Sequence, residues 1–159
     1  MSTLIAYASS HGTTEQAAKI LSEMLEGEVS VVNLKKSPRI DFSSFATVIV
    51  GGSIHAGRMQ GKVKKFCAKH GDTLKQKRLG LFLCCMAEGE EAQKEFDEAY
   101  PEDLRKHAAV TGFFGGEFKF ESMNFLQKAI IKKVANTTES VYKLDRENIR
   151  QFADALNKL

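Results

Sequence analysis

The sequence predicts an α/β domain: a three-layer sandwich in which a five-stranded parallel sheet lies between two layers of helices, with a helical insertion after strand 5. Three observations carry this. Short apolar, β-branched runs alternate along the chain with segments whose apolar residues recur at helical spacing. The runs at residues 45–51 and 79–86 are apolar and, in the first, β-branched without a polar alternation, which marks strands buried on both faces and therefore parallel. Finally, 159 residues that are 43% hydrophobic and 27% charged can bury one core without disulfides or metals.

Taken in order, residues 3–8 form a compact apolar strand, followed at once by a polar loop and by a helix with Ala17, Ile20, Leu21, Met24 and Leu25 on one face. Gly27 closes that helix, residues 28–34 make a second strand, and Pro38 marks a loop. The third strand, at residues 45–51, leads into a loop over residues 52–61. Val63, Phe66, Cys67 and His70 then recur at helical spacing, and residues 79–86 make the fourth strand. A charged helical connection over residues 90–106 is broken by Pro101, and residues 109–116 supply the fifth strand. The extra segment, residues 117–141, has an apolar helical face at Met123, Leu126, Ile130 and Val134. Asp145 is a good N-cap for a last helix that turns Ile149, Phe152, Ala153 and Leu156 to the core. No repeat, low-complexity tract or linker interrupts the chain, so residues 1–159 read as a single domain.

A net charge of +3 is mild and predicts no nucleic-acid binding, for which clustered basic stripes are expected. No apolar run approaches the roughly 18 residues of a membrane span. The N-terminus has neither the basic flank nor the cleavage-type site of a signal peptide, so a cytoplasmic protein is expected. Cys67, Cys84 and Cys85 lack the spacing of a redox or metal motif and read as reduced, buried thiols; adjacent residues of a strand point to opposite faces, which disfavours a Cys84–Cys85 disulfide. Cys67 and His70 read as core residues, His107 sits in a polar stretch, and the four histidines show no metal-ligand spacing.

In an open parallel sheet, ligands bind outside the carboxyl ends of the strands where the strand order reverses, which for a five-stranded order 2-1-3-4-5 is over strands one and three. The first of the two loops there, Ser9-Ser10-His11-Gly12-Thr13-Thr14, is rich in hydroxyls and feeds a helix N-terminus. Outward-pointing N–H groups, the helix dipole and hydroxyl donors suit a terminal phosphate. Helix capping alone explains one such hydroxyl, and four around a glycine exceed that need. No G-x-x-x-x-G-K-[ST] or G-x-G-x-x-G stretch is present, which weighs against nucleoside triphosphates and dinucleotides. A phosphoacceptor signalling domain would need acidic residues after the first strand and an aspartate after the third; Ser9-Ser10 and Gly51-Gly52 stand there instead.

From Ile5 through Tyr7, Ser9, Gly12 and Thr14 to Ala18, the chain resembles the FMN signature of flavodoxins: an aromatic, a spacer, Ser or Thr, two residues, glycine, one residue, Thr, and an alanine four later. Only Ala6 departs from it. The resemblance implies a flavodoxin-like fold in which Ser9, Ser10, His11, Gly12, Thr13 and Thr14 wrap the FMN phosphate, His11 contributing through its backbone. Within that superfamily the whole chain resembles the menaquinone-dependent protoporphyrinogen oxidase group. The carriers of that resemblance are Val50-Gly51-Gly52-Ser53-Ile54-His55-Ala56-Gly57, Phe66-Cys67-Ala68-Lys69-His70, and the insertion with Asn124-Phe125-Leu126 and Ile130-Ile131-Lys132.

By the same resemblance, Ser53, Ile54, His55, Ala56, Gly57 and Arg58 border the flavin ring, with the backbone near Gly57 facing its N5 edge and His55 or Met59 available as a lid. Cys85, Met86, Ala87 and Glu88 reach its pyrimidine side. With no tryptophan in the chain and no tyrosine in either flavin-edge loop, the ring face is expected to be open. A unit charge about 10 Å away, at an effective dielectric near 20, is worth roughly 1.7 kcal/mol, or on the order of 70 mV for a one-electron couple. Arg58 therefore raises the expected reduction potential. The implied function is an FMN oxidoreductase of the protoporphyrinogen-oxidase type, with a porphyrinogen substrate, that passes electrons to a quinone. The alternative is a flavodoxin-type electron carrier serving a partner reductase. Lys119, Lys128, Lys132 and Lys133 beside the insertion's apolar face suit either a core-packed helix with a solvated lysine side or a peripheral position on the inner membrane face.

Overall fold

A computed structural model describes residues 2–9, 12–36, 38–55, 58–118 and 141–159. Five parallel strands form its main sheet: β1 (Thr3–Tyr7), β2 (Val29–Asn33), β3 (Thr47–His55), β5 (Arg78–Cys84) and β6 (Val110–Phe113), in spatial order β2-β1-β3-β5-β6. Counted along the chain as parallel strands alone, this is the expected 2-1-3-4-5. Between β3 and β5 lies β4 (Arg58–Met59), which folds back antiparallel on β3, pairing Ile54 with Met59 and His55 with Arg58.

The helices are α1 (Thr13–Met24), α2 (Gly61–Leu74), α3 (Gly89–Ala99), α4 (Glu102–His107) and α5 (Arg146–Asn157). Because successive strand residues face opposite ways, each buried strand feeds two cores. Ile5, Tyr7, Ile49, Phe82 and Cys84 pack with Ala17, Ala18, Leu21, Ile149, Phe152 and Ala153, so α1 and α5 cover one face. Leu4, Ala6, Val48, Val50, Leu81 and Leu83 pack with Val63, Phe66, Phe96 and Leu104, so α2, α3 and α4 cover the other. Asp145 caps α5 as its sequence foretells, its carboxylate accepting the Asn148 N–H at 2.9 Å.

The charged connection over residues 90–106 is two helices. Pro101 supplies no N–H to continue α3 and stands as the N-cap of α4. The fifth expected strand divides at Phe114: β6 stays in the parallel sheet, and β7 (Gly115–Phe118) pairs instead with β8 (Val141–Leu144) as an antiparallel ribbon. Gly115, with φ of 75°, makes that change of direction possible. The helical face expected at Met123, Leu126, Ile130 and Val134, with its lysines, lies outside the described residues. No helix among the described residues is long and apolar enough to cross a membrane.

His70 sits against Phe42 and Phe66, with ring centroids at 4.9 and 5.0 Å. Partial burial, and next the neighbouring Lys69, hold its pKa below the usual histidine value. The unfolded chain therefore binds the His70 proton more readily than the folded one, and stability falls as pH drops through about 6.5. In urea unfolding at pH 7 and pH 5.5, His70→Phe is expected to show a smaller acid loss of stability than the parent chain; an identical loss would show that His70 is not the titrating group.

Candidate functional site

Three loops leave the same end of three adjacent strands. Tyr7 ends β1 opposite Gly51 of β3, and Ser53 of β3 lies opposite Cys84 at the end of β5. The loops after β1, β3 and β5 therefore open side by side, as the strand order requires.

The first loop is built around Gly12, the N-cap of α1, held at φ 87°, where a side chain would be strained. Its N–H donates to Ser9 Oγ at 2.9 Å, tying the helix start to the end of the preceding strand segment. Ser9 keeps its own hydroxyl proton to donate elsewhere. Gly12 brings no capping side chain of its own to the helix start, where the helix dipole favours an anion. Beside the loop, the Tyr7 hydroxyl donates to Glu15 Oε1 at 3.0 Å and ties the first turn of α1 to the end of β1. Burial, aided by the Glu15 carboxylate, pushes the Tyr7 phenol up to about 12.

Thr14 lies beneath the loop, fully buried, and its Oγ1 has no oxygen or nitrogen partner among the described residues. It faces the Cys84 thiol, a weak partner that burial pushes up to about 12 while the Thr14 hydroxyl opposes the shift. A buried hydroxyl without an oxygen or nitrogen partner costs roughly 1–3 kcal/mol, so its presence at a glycine-capped helix N-terminus fits a phosphate-binding role. Thr13 is also buried. Ser10 and His11, expected in the same cradle, lie outside the described residues.

The second loop differs in form from the open loop expected over residues 52–61. The strand continues through Ser53, Ile54 and His55 and returns as β4, so most of the loop is a hairpin. It is pinned by Gln60, whose Oε1 accepts the Ser53 N–H at 2.9 Å and whose Nε2 donates to Ser53 Oγ at 3.0 Å. A side chain on Gly52 would overlap Met59 and touch Gln60, so the hairpin needs that glycine. Met59 is buried in the core beneath and is not free to act as a lid. Arg58 is exposed on β4. Ala56, Gly57 and the side chain of His55 lie outside the described residues.

The third loop carries Cys85, buried, with Met86 and Ala87 half-buried and Glu88 exposed. The Cys85 thiol donates to the Ala87 carbonyl at 3.8 Å; burial, with the Glu95 carboxylate next, pushes its pKa up to about 11. Glu95 itself is raised by burial and by Glu91 and Glu98. Gly116 of β7 would meet Met86 Sδ at 3.1 Å if it bore a methyl group, so the β7–β8 ribbon stands against this loop. Cys67 is likewise pushed up to about 12 by burial, and all three cysteines are free. None of the three is expected to react with iodoacetamide in the native chain at mildly alkaline pH, while all three react in concentrated guanidinium. Labelling before unfolding, read by intact mass, would contradict that.

Three features had weak sequence signals. Gln60 is one polar residue before a helix, the Tyr7–Glu15 bond spans eight positions, and Cys84 meets Thr14 across a long separation in sequence.

A protein-family model described as a flavodoxin domain matches residues 4–144. No curated protein sequence matches the chain. Among solved structures, oxidised flavodoxin 1 of Bacillus cereus is similar at 14% identity, with 99% of this chain and 98% of that one covered and a TM-score of 0.58. The flavodoxin of Streptococcus pneumonia TIGR4 is similar at 20% identity, 99% coverage of both chains and a TM-score of 0.60. The flavodoxin of Fusobacterium nucleatum, bound to flavin mononucleotide, is similar at 15% identity, 99% and 97% coverage and a TM-score of 0.57.

Proposed function

The chain belongs to the flavodoxin domain family, and from that premise we propose that it binds FMN at the ends of β1, β3 and β5 and serves in electron transfer. The observation that carries this reading is the first loop: a glycine N-cap with no side chain, and beneath it the buried Thr14 hydroxyl, which has no oxygen or nitrogen partner among the described residues. Ser9, Ser10, His11, Gly12, Thr13 and Thr14 would hold the phosphate. Ser53, Ile54, His55, Ala56, Gly57 and Arg58 would border one edge of the ring, and Cys85, Met86, Ala87 and Glu88 the other. Bound FMN would supply reversible one- and two-electron chemistry. The residues here would hold and orient it, and the positive charge of Arg58 would lie on the ring side of the site.

Titration with FMN and with riboflavin, read by the flavin absorbance and by calorimetry, tests the reading. FMN is expected to bind at least ~100-fold more tightly, because only it presents a phosphate to the helix N-terminus. Equal affinities, or none for either, would overturn the assignment.

We further propose that the protein is an FMN oxidoreductase that passes electrons from a porphyrinogen to a quinone. Its support is the whole-chain resemblance to the protoporphyrinogen oxidase group together with the position of β7, whose Gly116 stands against Met86 of the third loop. A flavodoxin-type carrier serving a partner reductase remains the other reading, favoured by the lack of an acid, base or nucleophile with activated chemistry among the described residues of the three loops. Quinone-dependent oxidation of protoporphyrinogen by the FMN-loaded protein supports the enzyme, whereas reduction only through a partner reductase supports the carrier.

A further inference from the structure

The rim of the candidate site is divided by charge. On one side, residues 58–69 carry five cationic residues, Arg58, Lys62, Lys64, Lys65 and Lys69, and no acidic one. All five are exposed. They run from β4 down the first turns of α2, and a 3-10 turn at Leu34–Lys36 packs beside α2, bringing the exposed Lys36 to the same side. On the other side, residues 88–98 carry six acidic residues against the single cation Lys94. Glu88, Glu90, Glu91, Asp97 and Glu98 are exposed there. Both α2 and α3 follow strands that end at the site, so their N-terminal turns bring the two charge fields to one edge. Within a Debye length of about 8–10 Å, such fields steer encounters and select orientation.

We propose that this edge docks a redox protein whose own contact surface is acidic where it meets β4 and α2, with the acidic α3 side fixing its orientation by repulsion. This deepens the FMN reading, since it names the kind of partner that would exchange electrons at that site, and it rests on that reading for its purpose. A protein partner is favoured over an anionic bilayer by two observations. Glu88, Glu90 and Glu91, exposed at the start of α3, would be held against the bilayer's charge, and the exposed large apolar residues among those described, Val31 and Leu159, lie on neither α2 nor β4, so no apolar anchor accompanies the basic field. Nucleic acid meets the same acidic repulsion and finds no exposed aromatic platform on α2 or β4.

The test uses an acidic plant-type [2Fe–2S] ferredoxin as the probe. Binding is read by calorimetry or NMR titration on the full chain, without need of flavin, and electron transfer by stopped flow after FMN loading. Binding that weakens steeply with salt, falls at least ~10-fold in Lys65→Glu/Lys69→Glu and tightens in Glu90→Lys/Glu91→Lys is expected, with electron transfer following the same order. Circular dichroism confirms that both surface variants fold. Ferredoxin binding that ignores both salt and charge reversal would overturn the proposal. So would tighter binding to vesicles containing phosphatidylglycerol than to ferredoxin at physiological salt. If FMN fails to bind while the charge-dependent docking persists, the flavin reading falls and the docking surface stands; flavin binding without such docking removes only the surface.

Discussion

Gly51→Ala is expected to lower the unfolding free energy by about 3 kcal/mol, read as a drop in urea midpoint. Gly51 in β3 lies opposite Phe82 of β5, and on the far side of Phe82 in the sheet stands another glycine, Gly112 of β6. A methyl group on Gly51 would overlap the Phe82 ring itself. The ring has nowhere to go. It is stacked on Phe114 with centroids 4.5 Å apart, and Phe152 stands edge-on at 6.3 Å. Phe82, Phe114 and Phe152 are all buried. Gly112 and Gly80 are committed in the same way, since a methyl at either would come within 2.9 or 2.8 Å of Phe152.

The same chemical change elsewhere should have the opposite sign. Gly71, within α2, has nothing within 4 Å of where its Cβ would stand, and Gly71→Ala should stabilise by roughly 0.5–1 kcal/mol through helix propensity. Phe82→Leu in the Gly51→Ala background should restore part of the loss, giving a coupling energy that a double-mutant cycle reads directly. Equal stability of Gly51→Ala and the parent would mean that the aromatic cluster can shift, and that the glycine was not selected by space.

Most of the parallel sheet was legible because its signals are local. Unbroken apolar runs marked β3 and β5, and the 3.6-residue pattern of Ile149, Phe152, Ala153 and Leu156 behind Asp145 marked α5. What escaped was set by contacts distant in sequence. The run over residues 109–116 reads as one strand, yet it divides because Gly115 turns the chain away and β8, some 25 residues on, offers another partner. The β3–β4 hairpin escaped for a related reason: glycine and polar residues after Gly51 read as a loop, and only the double hydrogen bond from Gln60 to Ser53 shows why they stay extended. At the site, residue types told which loop suits a phosphate. They could not tell that Ser9 turns inward to Gly12 or that Met59 is buried, since both depend on how the loops fold back on the sheet.

Thr14→Val is expected to weaken FMN binding by about 1–3 kcal/mol, a loss of roughly 5- to 150-fold, while leaving the free chain as stable as before or more so. The two effects share one cause and have opposite signs. Valine matches threonine in shape, so the buried position beneath the first loop stays filled and the β-branched backbone preference is kept. What is lost is a hydroxyl that burial has stripped of water and that, among the described residues, has the Cys84 thiol as its one weak partner. In the free chain that hydroxyl is a cost, and removing it relieves the cost. In the FMN complex it would be one of the donors to the phosphate, and removing it leaves an anionic oxygen short of a partner in a site that excludes water. Riboflavin, lacking the phosphate, should bind parent and variant alike. A parallel loss of stability and affinity would instead make Thr14 a structural residue tied to Cys84. Unchanged FMN affinity by calorimetry would move the phosphate away from this loop.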